Sequence, residues 1–221
     1  MSLELILGPM FAGKTSALQS IVRRHSALGI KCVVYKPVSD TRYGSDTHIC
    51  SHDQERVKAI PVKNLTSHTL MEPYLESKIV VIEEGQFFDD LYDFVVKAVE
   101  QDNKHVFVAG LDGDCFRKPF GQLFDLIPLA DSIIKMTSLC KLCANGTAAI
   151  FTFRITKSKE IVEVGGPETY MPLCRNHYIT CSEKLGQSED LPTIQVKLTD
   201  LPIMSLPMQT TPDICQTSLF V

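Results

Sequence analysis

Three groups of residues in this sequence have the types and spacing to do chemistry. Gly8-Pro9-Met10-Phe11-Ala12-Gly13-Lys14-Thr15 fits the pattern G-x-x-x-x-G-K-[ST]. In that pattern backbone N–H groups cradle phosphates, the lysine reaches the terminal phosphates, and the hydroxyl binds Mg²⁺. Two adjacent acids, Glu83 and Glu84, close an apolar run. Downstream of a phosphate loop, one such acid can serve Mg²⁺ and the other can take a proton from an attacking hydroxyl. The third group is Cys140-Lys141-Leu142-Cys143 with Cys174-Arg175-Asn176-His177, a C-x-x-C and C-x-x-H pair. Two-residue spacers let both ligands of a pair meet one ion, and two pairs complete a tetrahedral zinc site. Four protein ligands leave no open position, so this zinc is expected to be structural.

These groups must be positioned by the elements around them. Leu3 to Leu7 is an apolar run of strand length, and Thr15 to His25 carries Leu18, Ile21 and Val22 at helical spacing. The motif therefore lies between a strand and a helix N-terminus, where orphan N–H groups and the helix dipole both point at an anion. Lys31–Pro37, Lys78–Ile82, His105–Leu111 and Ser132–Met136 read as further strands, with weaker ones at Thr47–Cys50 and Val57–Val62. Helices are expected over Asn64–Glu76 and Asp89–Glu100. Strands that are apolar on both faces and alternate with helices predict an α/β fold, a parallel sheet covered by helices. If the strand before Glu83 persists through Glu84, the two acids point to opposite faces and take different roles.

From Thr137 the texture changes, and a domain boundary is expected there. Residues 1–137 are expected to form the α/β domain of the phosphate loop, 138–185 a zinc-binding domain, and 186–221 an extended or disordered tail rich in Pro, Thr and Ser. Ala148–Thr156 and Ile161–Val164 look like the two arms of a hairpin braced by the zinc. Cys32, Cys50, Cys115, Cys181 and Cys215 have no ligand spacing and read as core or free thiols.

Composition bounds the remaining classes. The 221 residues are 44% hydrophobic and 22% charged, as in a globular protein with one sizeable core. A net charge of −4 gives no support for nucleic-acid binding. No apolar run approaches the ~18 residues of a membrane span. A first strand beginning almost at Met1 leaves no room for a signal peptide, so a cytoplasmic protein is expected. Asp40 and Arg42, after the second strand, could reach phosphates or pair with each other. Arg117 and Lys118, near the end of another strand, could stabilise a transferring phosphoryl group.

Four segments in this order resemble the type II thymidine kinases, the cellular and poxvirus kind. They are GPMFAGKT at Gly8, DTRY at Asp40, the apolar strand into EEGQFF at Glu83, and LDG–RKPFG from Leu111. The zinc pairs and Gly165-Gly166-Pro167-Glu168-Thr169-Tyr170 extend the likeness to roughly residues 3 to 180. The resemblance implies transfer of the γ-phosphoryl of ATP to the 5′-hydroxyl of thymidine, and deoxyuridine as a further substrate. It implies Glu84 as catalytic base. Gly8, Pro9, Met10, Phe11, Ala12, Gly13, Lys14, Thr15, Asp40 and Arg42 would contact ATP, and Thr15 and Glu83 the Mg²⁺. Met10, Phe87, Cys115, Phe120, Thr152, Gly165 and Tyr170 fall at nucleoside positions, with the zinc-held hairpin as a lasso over the base. A homotetramer is the family's usual assembly. Two residues depart from the family pattern: Glu83 stands where Asp is usual, and Cys115 where Phe or Tyr is usual, with Phe116 beside it as a substitute. These departures motivate one alternative, an inactive relative kept as a binding subunit. The other is an NTP-dependent switch whose zinc hairpin binds a partner, which would want a basic hairpin surface, whereas Glu160 and Glu163 offset Arg154, Lys157 and Lys159.

Overall fold

A computed structural model describes residues 1–38, 47–50, 56–156, 163 and 165–186. Asp40, Arg42 and the tail from 187 onward lie outside the described residues. The chain runs β1 (Ser2–Leu7), α1 (Lys14–Ser26), β2 (Cys32–Pro37), β3 (His48–Cys50), β4 (Arg56–Lys58) and β5 (Ile60–Val62). It continues with α2 (Glu72–Glu76), β6 (Ile79–Ile82), α3 (Leu91–Val96), β7 (His105–Gly110) and β8 (Ser132–Lys135). The last elements are β9 (Ser138–Leu139), β10 (Ala148–Ala149), β11 (Phe151–Arg154), β12 (Tyr170–Leu173) and α4 (Arg175–Gly186).

Six strands form one parallel sheet in the order β5-β2-β6-β7-β1-β8. The two-residue period of each strand sends alternate side chains to opposite faces. Leu3, Leu5, Leu7, Val80, Ile82, Val106 and Val108 join one core, which α3 completes with Leu91, Phe94 and Val95. Ile6, Val81, Phe107 and Ala109 join the other, with Leu18 and Val22 of α1. Both faces are thus buried, which is why these strands read as unbroken apolar runs. Full burial of each such side chain contributes about 1.5–3 kcal/mol.

Several expected elements differ in detail. The run Val57–Val62 is two strands, because the chain changes partner at Ala59: β4 pairs antiparallel with β3, and β5 pairs parallel with β2. The helix expected over 64–76 is a 3-10 turn, Thr66–His68, and the short α2 with Pro73 in its first turn. Met71, just before α2, is extended (φ −82, ψ 144), so the two do not fuse, and Pro73 sits in the first turn, where a missing N–H costs no helical hydrogen bond. The helix from Asp89 begins at Leu91 and closes in one π turn, Lys97–Gln101. The first hairpin arm is also divided. Ala148–Ala149 pairs with β9, while Phe151–Arg154 pairs antiparallel with Tyr170–Leu173. Residues 161, 162 and 164 of the expected second arm lie outside the described residues. Alternating apolar residues mark a strand without naming its partner. Burial of Phe153 and Leu173 in one small core with Tyr178 favours the observed pairing.

Candidate active site

In a parallel sheet every strand delivers its following loop to the same edge. The motif after β1, the acids after β6 and the loop after β7 therefore emerge together, at the carboxyl edge where such sheets bind ligands. The motif folds as a tight loop. Gly8 approaches β8 so closely that an added Cβ would lie 2.6 Å from the carbonyl oxygen of Met136. Gly13 takes the left-handed conformation, φ 84, at the N-cap of α1. The buried Lys14 ammonium donates to the carbonyls of Gly8 (3.0 Å) and Pro9 (2.8 Å), which keeps it against the loop. β1 and β6 are separated by β7, about 10 Å at ordinary strand spacing. Because α1 packs across β7, Thr15 spans that gap, and its hydroxyl donates to Glu83 Oε1 at 2.6 Å.

Glu83 and Glu84 are both buried, at 7% and 9% exposure. They are separated by a change of backbone rather than by continued pleating. The strand ends at Ile82, and Glu84 is left-handed at φ 50, ψ 48. Sequence reading passed over the residue that holds Glu84. Gln86 is buried at 4%; its Nε2 donates to Glu84 Oε2 at 2.6 Å, and its Oε1 accepts from the backbone N–H of Leu111 at 3.1 Å. The amide bridges the loop after β6 to the end of β7 and fixes which of its ends faces the carboxylate. Gly121, at φ 61, closes over the same place, where a Cβ would sit 2.3 Å from the carbonyl oxygen of Gln86.

The residues expected around a nucleoside are each fixed by local contacts. Met10 N–H donates to Thr152 Oγ1 at 2.9 Å, joining the phosphate loop to β11. The half-buried rings of Phe87 and Phe120 meet edge to face, 5.4 Å between centroids. Tyr170 faces Arg154 across β11 and β12; Arg154 Nη2 donates to its hydroxyl at 3.2 Å, and that hydroxyl donates to the Glu163 carbonyl at 2.7 Å. Gly165 packs on Thr169, whose Oγ1 would lie 2.1 Å from an added Cβ. Cys115 enters by its carbonyl, which accepts from Tyr178, and burial raises its thiol pKa. The sequence groups Arg154 with the charges of a hairpin surface, yet it is 5% exposed, with its guanidinium 5.9 Å from the Phe116 ring. Its role was invisible because cross-strand partners are set by register.

Cys140, Cys143, Cys174 and His177 converge, with one ligand atom of each within 4.8 Å of the others. Zn–S bonds of about 2.3 Å in a tetrahedron require sulfurs about 3.8 Å apart, and S···N edges near 3.5 Å. The Cys143 and Cys174 sulfurs are 3.7 Å apart, and His177 Nδ1 lies 3.3–3.4 Å from all three sulfurs. The cluster fits a tetrahedral zinc. Burial opposes ionisation of Cys140, but backbone N–H groups of Cys174 and Cys143 and the His177 ring outweigh it and bring the pKa to about 6. Burial, with its neighbouring cysteines, pushes Cys143 up to about 11. A cation is what allows all three sulfurs to ionise together. His177 reaches the cluster from the first turn of α4, an element not anticipated from the sequence.

Among the described residues no helix is long and apolar enough to cross a membrane. The thymidine kinase family profile matches residues 1–178. The chain is 43% identical over 181 residues to a thymidine kinase of Oryza sativa subsp. japonica, a match covering 80% of this chain and 66% of that protein. It is 39% identical over 176 residues to the cytosolic thymidine kinase of Homo sapiens, covering 80% and 72%. With the thymidine kinase of Vaccinia virus (strain Western Reserve) the identity is 37% over 177 residues, covering 80% and 96%. On this match, and with the phosphate-loop motif and zinc ligands in place, the chain belongs to the thymidine kinase family.

Proposed function

We propose that this protein transfers the γ-phosphoryl of ATP to the 5′-hydroxyl of thymidine, with deoxyuridine as a second substrate. The observation that carries the reading is the hydrogen bond from the motif hydroxyl of Thr15 to Glu83, the first of two adjacent buried acids. In this reading Gly8 to Thr15 hold the ATP phosphates, with Asp40 and Arg42 as further contacts. Thr15 and Glu83 offer hard oxygen ligands suited to Mg²⁺. When bound, that ion would neutralise charge on the phosphate oxygens. Glu84 takes the proton of the attacking hydroxyl, and Gln86 keeps its carboxylate in place.

The nucleoside would lie along Met10, Phe87, Phe120, Thr152, Gly165 and Tyr170. Phe116, beside the Arg154 guanidinium, supplies the ring that Cys115 cannot. Zinc on Cys140, Cys143, Cys174 and His177 braces the segment between β11 and β12 and takes no part in the chemistry. A homotetramer in the cytoplasm belongs to the same reading. The test is incubation of purified protein with ATP, Mg²⁺ and each nucleoside in turn. Formation of thymidine and deoxyuridine 5′-monophosphates, with purine nucleosides refused, is the expected result. Absence of any nucleoside phosphorylation would favour the binding-subunit alternative.

A further inference from the structure

The loop after β7 is a closed unit. Asp114 Oδ1 accepts from the backbone N–H of Phe116 (2.9 Å) and of Lys118 (2.8 Å). The Asp114 backbone completes the turn, its N–H donating to Lys118 O (2.9 Å) and its carbonyl accepting from Arg117 N–H (3.0 Å). Arg117 sits at φ 65, as the tight reversal requires. A turn so tied internally moves as one piece, so its placement depends on what holds it from outside.

That hold comes from the zinc centre. Tyr178 follows the ligand His177 on α4 and is 5% exposed. Its ring packs on Phe151 (4.9 Å between centroids) and Phe153 (5.7 Å). Its hydroxyl donates to the Cys115 carbonyl at 2.6 Å, across 63 residues of sequence. The Arg117 guanidinium lies over the same ring, 4.8 Å from its centroid. Cys115 and, within the same turn, Phe116 are thereby tied to the helix that carries a zinc ligand.

We propose that Tyr178 is a positioning residue for nucleoside binding: its hydroxyl fixes the turn at 114–118, and through it the order of the zinc centre reaches the base-facing ring of Phe116. The inference rests on the thymidine kinase reading above. Tyr178 touches no substrate and acts through the Cys115 carbonyl. Removing the hydroxyl should loosen the turn and weaken thymidine binding, while leaving the phosphate loop, Glu84 and the metal ligands as they are.

Tyr178→Phe tests this, because it keeps the ring and deletes one hydrogen bond. Loss of such a bond shifts a binding constant by about 2- to 12-fold. We expect KM for thymidine to rise by that factor, kcat and KM for ATP to stay within about twofold, and bound zinc per chain to be unchanged. Arg117→Asn, which tolerates the left-handed backbone and deletes the cation over the ring, should raise the same KM to a smaller extent. It serves alone if Tyr178→Phe does not fold. An unchanged thymidine KM overturns the inference, as does zinc loss or an equal change in both KM values, either of which marks a merely structural tyrosine. If the wild-type protein does not phosphorylate thymidine, the functional reading fails; a wild-type-like Tyr178→Phe in an active enzyme defeats this inference alone.

Discussion

Replacing Glu84 by Gln separates proton acceptance from packing, because the local hydrogen bonds dictate how the new amide must sit. Gln86 Oε1 is held by the Leu111 N–H, so its Nε2 is committed to the residue at 84. The substituted amide therefore turns its carbonyl oxygen toward Gln86 and keeps the bond. Stability should change by no more than about 1 kcal/mol, the net worth of one hydrogen bond. The new side chain cannot accept a proton. General-base catalysis is worth about 10²–10⁴-fold, or about 2.7–5.5 kcal/mol of barrier. The assay is steady-state phosphorylation of thymidine at saturating Mg²⁺, with a thermal melt of the same sample. We expect kcat to fall by that factor, with both KM values within about twofold and Tm within about 4 °C of wild type. A kcat within tenfold of wild type would refute the assignment of Glu84 as base. A loss of activity that tracks a collapse in Tm would show instead that its carboxylate is structural.

Three further outcomes are expected. Glu83→Gln should raise the Mg²⁺ concentration needed for half-maximal rate, and Glu83→Asp should leave activity intact or raise it; a Glu83→Gln enzyme dead at saturating Mg²⁺ beside an active Glu84→Gln would reverse the two roles. Gly121→Ala places a Cβ 2.3 Å from the Gln86 carbonyl at a left-handed residue, and should cost about 2 kcal/mol or more and lower kcat together with Tm; an unchanged melt would show that the 121 loop does not rest on Gln86. Cys174→Ala or His177→Ala should abolish binding of about one zinc per chain and weaken thymidine binding more than ATP binding; a fully active preparation with no zinc by metal analysis would refute the bracing role.

The sequence by itself determined the parts whose physics is local. A phosphate loop between a strand and a helix is legible because four positions, two glycines, a lysine and a hydroxyl, are fixed by spacing alone. The same holds for two metal-ligand pairs, and for strands buried on both faces, whose apolar runs need no knowledge of neighbours. Tertiary structure decided everything that depends on partners far apart in the chain. Thr15 meets Glu83 only because α1 crosses β7, and Gln86 matters only because the end of β7 supplies an N–H for its oxygen. Arg154 becomes a buried anchor because register sets it opposite Tyr170, and Tyr178 reaches Cys115 because the zinc ligands draw α4 against the loop. The period of a strand encodes which face each residue takes, while the identity of the residue across from it is encoded only in the packed whole.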